Sequence, residues 1–157
     1  MSGIAVTADF FSVLGLQPFQ GRFLERADQD VACPGSKAVV SYAYWQGEMS
    51  GRKLSNERLK IDGDMYEVIG VTPPKFFGLA VGEDFQIALP LCRPEVIARE
   101  VFDVSVVGRL RNGWSIEQAS APLDALSPAI IESAAPTGYD GEALRQYRSF
   151  RLNAIPA

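Results

Sequence analysis

The stretch Leu59-Lys60-Ile61-Asp62-Gly63-Asp64-Met65-Tyr66-Glu67-Val68-Ile69-Gly70-Val71 specifies a β-hairpin. A two-residue hairpin loop needs positive φ early in the turn, which leaves Asp62-Gly63 or Gly63-Asp64 as the central pair. Cross-strand partners favour Gly63-Asp64: Ile61 then faces Tyr66 and Leu59 faces Val68 on one side, while Lys60 meets Glu67 on the other. Centring on Asp62-Gly63 would set Ile61 against Asp64 and Lys60 against Met65. The register centred on Gly63-Asp64 is therefore the expectation. Pro73 and Pro74 remove two backbone donors and end the second strand.

Upstream, residues 7–15 place Phe10, Phe11 and Leu14 at helical spacing, with Thr7 as N-cap and Gly15 as a C-terminal stop, which predicts a short helix. A polar, turn-rich stretch over 20–36 precedes a strand over 37–41 and a helix over 42–49. Downstream, 85–89 reads as a strand closed by Pro90, and Phe76, Phe77 and Leu79 form an apolar loop before it.

The C-terminal third reads as strand, helix, strand. Val104, Val106, Val107 and Leu110 predict a strand over 103–110 that closes at Asn112-Gly113. Ser115 and Gln118 have capping-box spacing, and Ile116, Ala119, Leu123, Leu126 and Ile130 recur at helical intervals. Pro122 predicts a kink or break around 118–121, and Pro128 an early end. After a loop over 134–142, alternation over 147–155 predicts a final strand with Phe150 and Leu152 inward. The fold class that follows is α+β, a mixed sheet whose hairpin-containing lobe is followed by a βαβ-type C-terminal part.

With 157 residues, 47% of them hydrophobic, the chain is long enough for one domain with its own core or two small lobes sharing one. A net charge of −4 and the lack of a lysine-rich run argue against nucleic-acid partners. Arg145, Arg148 and Arg151 form the nearest thing to a basic cluster and read as a solvated edge. No stretch approaches the ~20 apolar residues that cross a bilayer as a helix. The only cysteines, Cys33 and Cys92, both adjoin turn-forming sequence, and two cysteines alone do not fix a pairing.

The chain has no histidine, which removes the usual general base, the Ser-His and Cys-His nucleophile pairs and most zinc sites. Ser50-Gly51-Arg52-Lys53 matches a bare Ser-x-x-Lys pattern without its partner motifs, and neither nucleotide-binding glycine loop occurs. Carboxylate pairs remain. Asp28 with Asp30, and Asp62 with Asp64, lie in turn-rich sequence where short acidic side chains bond local backbone, and the first pair lacks the further ligands of a calcium loop. Trp45 and Trp114 read as packing residues before ligand-stacking ones. No cofactor or metal is implied.

The hairpin and its sequel, residues 59–78, resemble the segment of MacB-like periplasmic core domains that runs Leu-x-Leu-Asn-Gly-x-x-Tyr-x-Val-Ile-Gly-Val-x-Pro-x-x-Phe. Four further blocks agree in order: Val6-Thr-Ala-Asp-Phe-Phe-Ser-Val-Leu-Gly15 with Gly21-Arg22-Phe23; Ala38-Val-Val-Ser-Tyr-Ala-Tyr-Trp45; Ile87-Ala-Leu-Pro-Leu91; and Val107-Gly-Arg-Leu-Arg-Asn-Gly-Trp-Ser-Ile-Glu-Gln-Ala119. The resemblance runs from about Val6 to Leu126. Pro122 departs from it, lying where relatives continue the helix, and Ser55-Asn56-Glu57 replaces the Val-x-Gly that precedes the first hairpin strand.

The resemblance implies an extracytoplasmic domain of an FtsX-like ABC transporter permease in a bacterial inner membrane, without an active site of its own. Its implied partners are the membrane helices of the same permease, an ATP-binding subunit or domain acting through them, a periplasmic adaptor and a second copy of the chain. Because such domains begin upstream of Val6, the chain is expected to be a truncated domain, with about 6–95 as the inserted lobe and about 100–157 as the strand-helix-strand part. The competing reading is a periplasmic small-ligand or peptide-binding module, with Trp45, Phe76, Phe77 and Leu79 as contact residues. A third, a carboxylate-dependent hydrolase, would use Asp28 and Asp30.

Overall fold

In the computed structural model, β5 (Asp64–Val71) is the strand around which one lobe is assembled. The structure describes residues 2–30, 37–79, 84–91 and 104–156. Along one edge of β5 runs β3 (Lys37–Val40), parallel to it; along the other lie β4 (Arg58–Ile61) and β2 (Gln20–Gly21), both antiparallel. Beyond β3 come β6 (Ile87–Pro90), antiparallel, and β1 (Gly3–Val6), parallel to β6. The order β1-β6-β3-β5-β2, with β4 also on β5, makes a six-stranded mixed sheet. Three short helices accompany it: α1 (Phe10–Val13), α2 (Arg26–Asp30) and α3 (Tyr42–Gly47).

Alternation in β3 divides the core. Ala38 and Val40 point to one face with Val68, Val71, Ile87 and the α3 residues Tyr44 and Trp45, whereas Val39 points to the other with Val6, Phe11, Leu24, Phe85 and Ala88. A register shift opposite Ala38/Val39 pairs Ala38 with Val68 but Val39 with Gly70. The extra residue lets Val68 and Val71, three apart, enter the same core while Ile69 packs with the other.

The hairpin forms, but in the other register. Leu59 pairs with Tyr66, Lys60 with Met65 and Ile61 with Asp64, which puts Asp62-Gly63 at the turn with φ of 51° and 101°. Positive φ at both positions suits an Asp-Gly pair. The two registers differ by two residues, so the same side chains face the core in both and the apolar pattern could not separate them. Charge pairing misled because Glu67 finds its cations elsewhere: Arg58 stands opposite it on β4, and Lys37 of β3 bonds its carboxylate.

Close backbone approach explains two glycines. Gly21 pairs with Gly70 where β2 meets β5; a Cβ on Gly70 would lie 2.0 Å from the Arg22 carbonyl oxygen, and one on Gly21 2.1 Å from that of Ile69. Residues 20–30, read as turn-rich, thus hold a short strand and a helix.

Contacts divide the chain into two units, Met1–Pro94 and Glu95–Ala157. The second contains α4 (Ile116–Ser133) and α5 (Gly141–Arg148). The capping box is present: Ser115 Oγ accepts from the Gln118 amide at 3.2 Å, and Gln118 Oε1 accepts from the Ser115 amide at 2.8 Å. Pro122 and Pro128 both lie inside α4, and Pro128 does not end it. Both prolines are exposed, and they deprive the Gln118 and Asp124 carbonyls of their helical partners. Beyond Pro128, buried Ile131, the bond from Tyr147 Oη to the Ala134 carbonyl and the Arg148–Glu132 pair hold the last turn.

The strands expected on either side of this helix are not formed. Residues 104–110 carry no ladder, and Val104 and Val106 are 66% and 93% exposed. Residues 147–155 divide between the end of α5 and a tail without regular secondary structure. Asp140 before the helix, Glu142 in its first turn and Arg145 and Arg148 in its last are the start and stop signals that outweigh the two-residue alternation. Cys33, Cys92 and Asp103 lie outside the described residues.

Candidate functional site

The contact residues expected from sequence do not form one site. Trp45 sits on α3, whose first turn is fixed by Ser41 Oγ accepting from the Tyr44 amide. Its ring is 7% exposed within the first core, and its Nε1 donates to the Arg52 carbonyl at 2.7 Å. Such a ring is committed to packing and does not offer a stacking platform. Phe76 packs against the other core, edge-to-face with Phe85 and near Phe11. Phe77 and Leu79, in the loop after β5, keep 59% and 41% of their surface exposed. Trp45 is instead joined by Phe19 and Tyr42, with ring centroids 5.3 and 5.5 Å away; half-exposed Phe19 was not read from sequence as part of this cluster.

The carboxylates are structural. Asp28 is buried and accepts from Arg22 through both oxygens, at 2.7 and 3.0 Å, and from the Glu25 amide at 2.8 Å. Arg22 holds its carboxyl below the usual aspartate range, as Asp28 raises Arg22. A carboxylate so occupied has few oxygen lone pairs left for a cation or a substrate. Its role is to start α2 through the local backbone bond expected of a turn carboxylate, and to tie it by a half-buried ion pair to Arg22, just after β2. The side chain of Asp30 lies outside the described residues. Lys37 likewise holds Glu67 below the usual range. Ser50 and Gly51, at φ of 54° and 64°, turn the chain after α3, so Ser50-Gly51-Arg52-Lys53 is a turn. Among the described residues no group of three metal-ligating side chains occurs, and no helix is long and apolar enough to cross a membrane. In the second unit, Arg111 lies over the half-exposed Trp114 ring at 5.5 Å.

What the described residues offer is a filled sheet with paired charges. The model of the MacB-like periplasmic core domain matches residues 1–126. The chain belongs to this family. Its match covers the whole sheet unit and α4 as far as Leu126, so the Gly21/Gly70 crossing, the bulged β5 and the α4 capping box all lie within the MacB-like domain. The crystal structure of the periplasmic region of MacB from Actinobacillus actinomycetemcomitans has a similar fold, with a TM-score of 0.54 at 16% identity over 80% of this chain. The chain spans 55% of the length of that structure. Comparison with curated proteins gave no match.

Proposed function

We propose that this MacB-like periplasmic core domain is a non-catalytic part of an FtsX-like ABC transporter permease in a bacterial inner membrane. In this reading it carries conformational change outward from the membrane helices and docks partners during export. The observation that carries the proposal is the family match over residues 1–126. Packing supports it: a sheet whose two faces are both filled by its own side chains moves as a body, because close-packed interiors transmit displacement instead of absorbing it. The committed carboxylates support a mechanical role over hydrolysis. The partners in this reading are the permease's own membrane helices, an ATP-binding subunit or domain, a periplasmic adaptor and a second copy, with Phe77 and Leu79 as exposed contact residues.

The test uses the complete permease with Cys33 and Cys92 replaced by serine. Spin labels on Lys60→Cys in the hairpin and Glu117→Cys in α4 report the distance between the two units with and without a non-hydrolysable ATP analogue. A nucleotide-dependent change in the distance distribution is expected; identical distributions would overturn the reading.

A further inference from the structure

The tail after α5 is fastened to α4 by a polar stripe. Leu152 donates its backbone N–H to Ser127 Oγ at 2.8 Å, and Ala154 donates its own to Ser120 Oγ at 3.0 Å. Just before Leu152, Arg151 Nε lies 3.8 Å from Oδ1 of Asp124, which stands between the two serines on the helix. Ser120, Asp124 and Ser127 stand at i, i+4 and i+7, one face of the helix, and Ser127 is fully buried there. Its hydroxyl also donates to the Leu123 carbonyl at 2.7 Å, which fixes the direction of its proton and leaves its lone pairs for the tail.

The two spans are unequal. From Ser120 to Ser127 the helix rises about 10.5 Å at about 1.5 Å per residue, whereas the two residues from Leu152 to Ala154 reach at most about 7 Å. Bending α4 toward the tail brings its two serines closer together. Pro122 is placed for such a bend: at about 100° per residue it lies about 200° round the helix from Ser120, on the far face, where it deprives the Gln118 carbonyl of its partner. A helix with a broken hydrogen bond on its outer face yields most readily toward its inner face.

We infer that α4 and residues 151–154 work as a bow and string, in which the tail's hold on Ser120, Asp124 and Ser127 sets the curvature of α4 at Pro122. Tension on the tail then bends the helix, and a bend imposed on the helix loads or slackens the tail. The device rests on the force-transmitting function proposed above, and it assigns this chain's Pro122 a role as the flexing point.

Amide exchange of peptides covering 150–156 tests it in the complete permease, with and without the ATP analogue. Ser127→Ala should speed exchange at Leu152 roughly three- to tenfold, the loss of one hydrogen bond, and Ser120→Ala should do the same at Ala154, while Ser120→Thr, which keeps the hydroxyl, restores protection. In the unaltered permease exchange should respond to nucleotide. Pro122→Ala, which gives the Gln118 carbonyl a partner and stiffens α4, should abolish that response. The bow is overturned if Pro122→Ala responds as the unaltered protein does, or if tail exchange ignores nucleotide while the Lys60/Glu117 spin-label distance still changes, an outcome that leaves the proposed function standing. If neither responds, both fall.

Discussion

The two units are stabilised by different means. In the sheet unit both faces of one mixed sheet are filled, and of the buried apolar side chains among the described residues all but Ile131, Pro136 and Tyr147 belong to it. The second unit is ordered by caps, serine hydroxyls and surface ion pairs around an 18-residue helix, with Leu126, Ile130, Phe150 and Ile155 all at least 42% exposed. Apolar burial therefore dominates one unit, and hydrogen bonds with surface ion pairs the other. The same kind of lesion should cost much more in the first.

The sharpest test of that contrast is Phe11→Ala. Phe11 has no exposed surface, stacks on Phe23 with centroids 4.2 Å apart and meets Phe10 edge-to-face at 5.2 Å. Removing it deletes the centre of an aromatic cluster, and denaturant titration should show a loss of about 3–5 kcal/mol. A loss below about 1 kcal/mol would mean that this core does not organise the unit. Next in size is Gly70→Ala. Its new methyl would meet a backbone oxygen, not a flexible side chain, so β2 must separate from β5, at about 3 kcal/mol. Gly63→Ala, whose Cβ meets nothing within 4 Å, carries only the strain of its positive φ, about 1 kcal/mol. If the two glycine substitutions cost the same, the close crossing of β2 and β5 is not what requires Gly70.

The Arg22–Asp28 pair lies between these extremes, because it is electrostatic yet sits at the edge of the sheet core. Asp28→Asn should cost about 1.5–3 kcal/mol at neutral pH, the range for hydrogen bonds to charged groups. The sign with pH follows from the depressed carboxyl. Its stabilisation is fully present above the ordinary aspartate value near 4 and is lost as pH falls through the lower value held in the folded state. Unfolding free energy measured from pH 7 downward should therefore fall more steeply below about pH 4 in the unaltered protein than in Asp28→Asn. Parallel curves would remove Asp28 from the acid response.

The same division governs what the sequence disclosed. β3, β5, β6, α1 and α3 were legible because their alternation or helical spacing reflects burial on a definite face, and the hairpin was legible except for its register, which depended on Lys37 in a third strand. Residues 104–110 and 147–155 carry strand-like alternation too, but a strand exists only with a ladder partner, and alternation does not say whether one is supplied. The ladder of α4 is internal, so its cap at Ser115 and Gln118 could be read directly. The expected grouping of Trp45 with Phe76 failed for a related reason: both are apolar and near turns, yet the sheet lies between the cores they enter. Pairing of Arg22 with Asp28 left no periodic signal. The crossing of Gly21 and Gly70 left only the two glycines.

The smallest expected effect probes the hydrogen-bonded unit. Ser115→Ala removes the acceptor for the Gln118 amide and leaves only half of the reciprocal cap. Helix N-caps of this kind contribute about 1 kcal/mol. Pro122 already leaves the Gln118 carbonyl without a helical partner, which makes the turn from Ile116 to Ala121 more dependent on its cap. Amide exchange over 116–121 should quicken roughly fivefold, the equivalent of that 1 kcal/mol, while β3 and β5 amides keep their rates. Ser115→Asp, an equally good cap that also places negative charge at the helix N-terminus, should restore protection. If Ser115→Ala instead deprotected the sheet as Phe11→Ala is expected to, the stability of the sheet unit would depend on α4, and the separation of the two units drawn from their packing would fail.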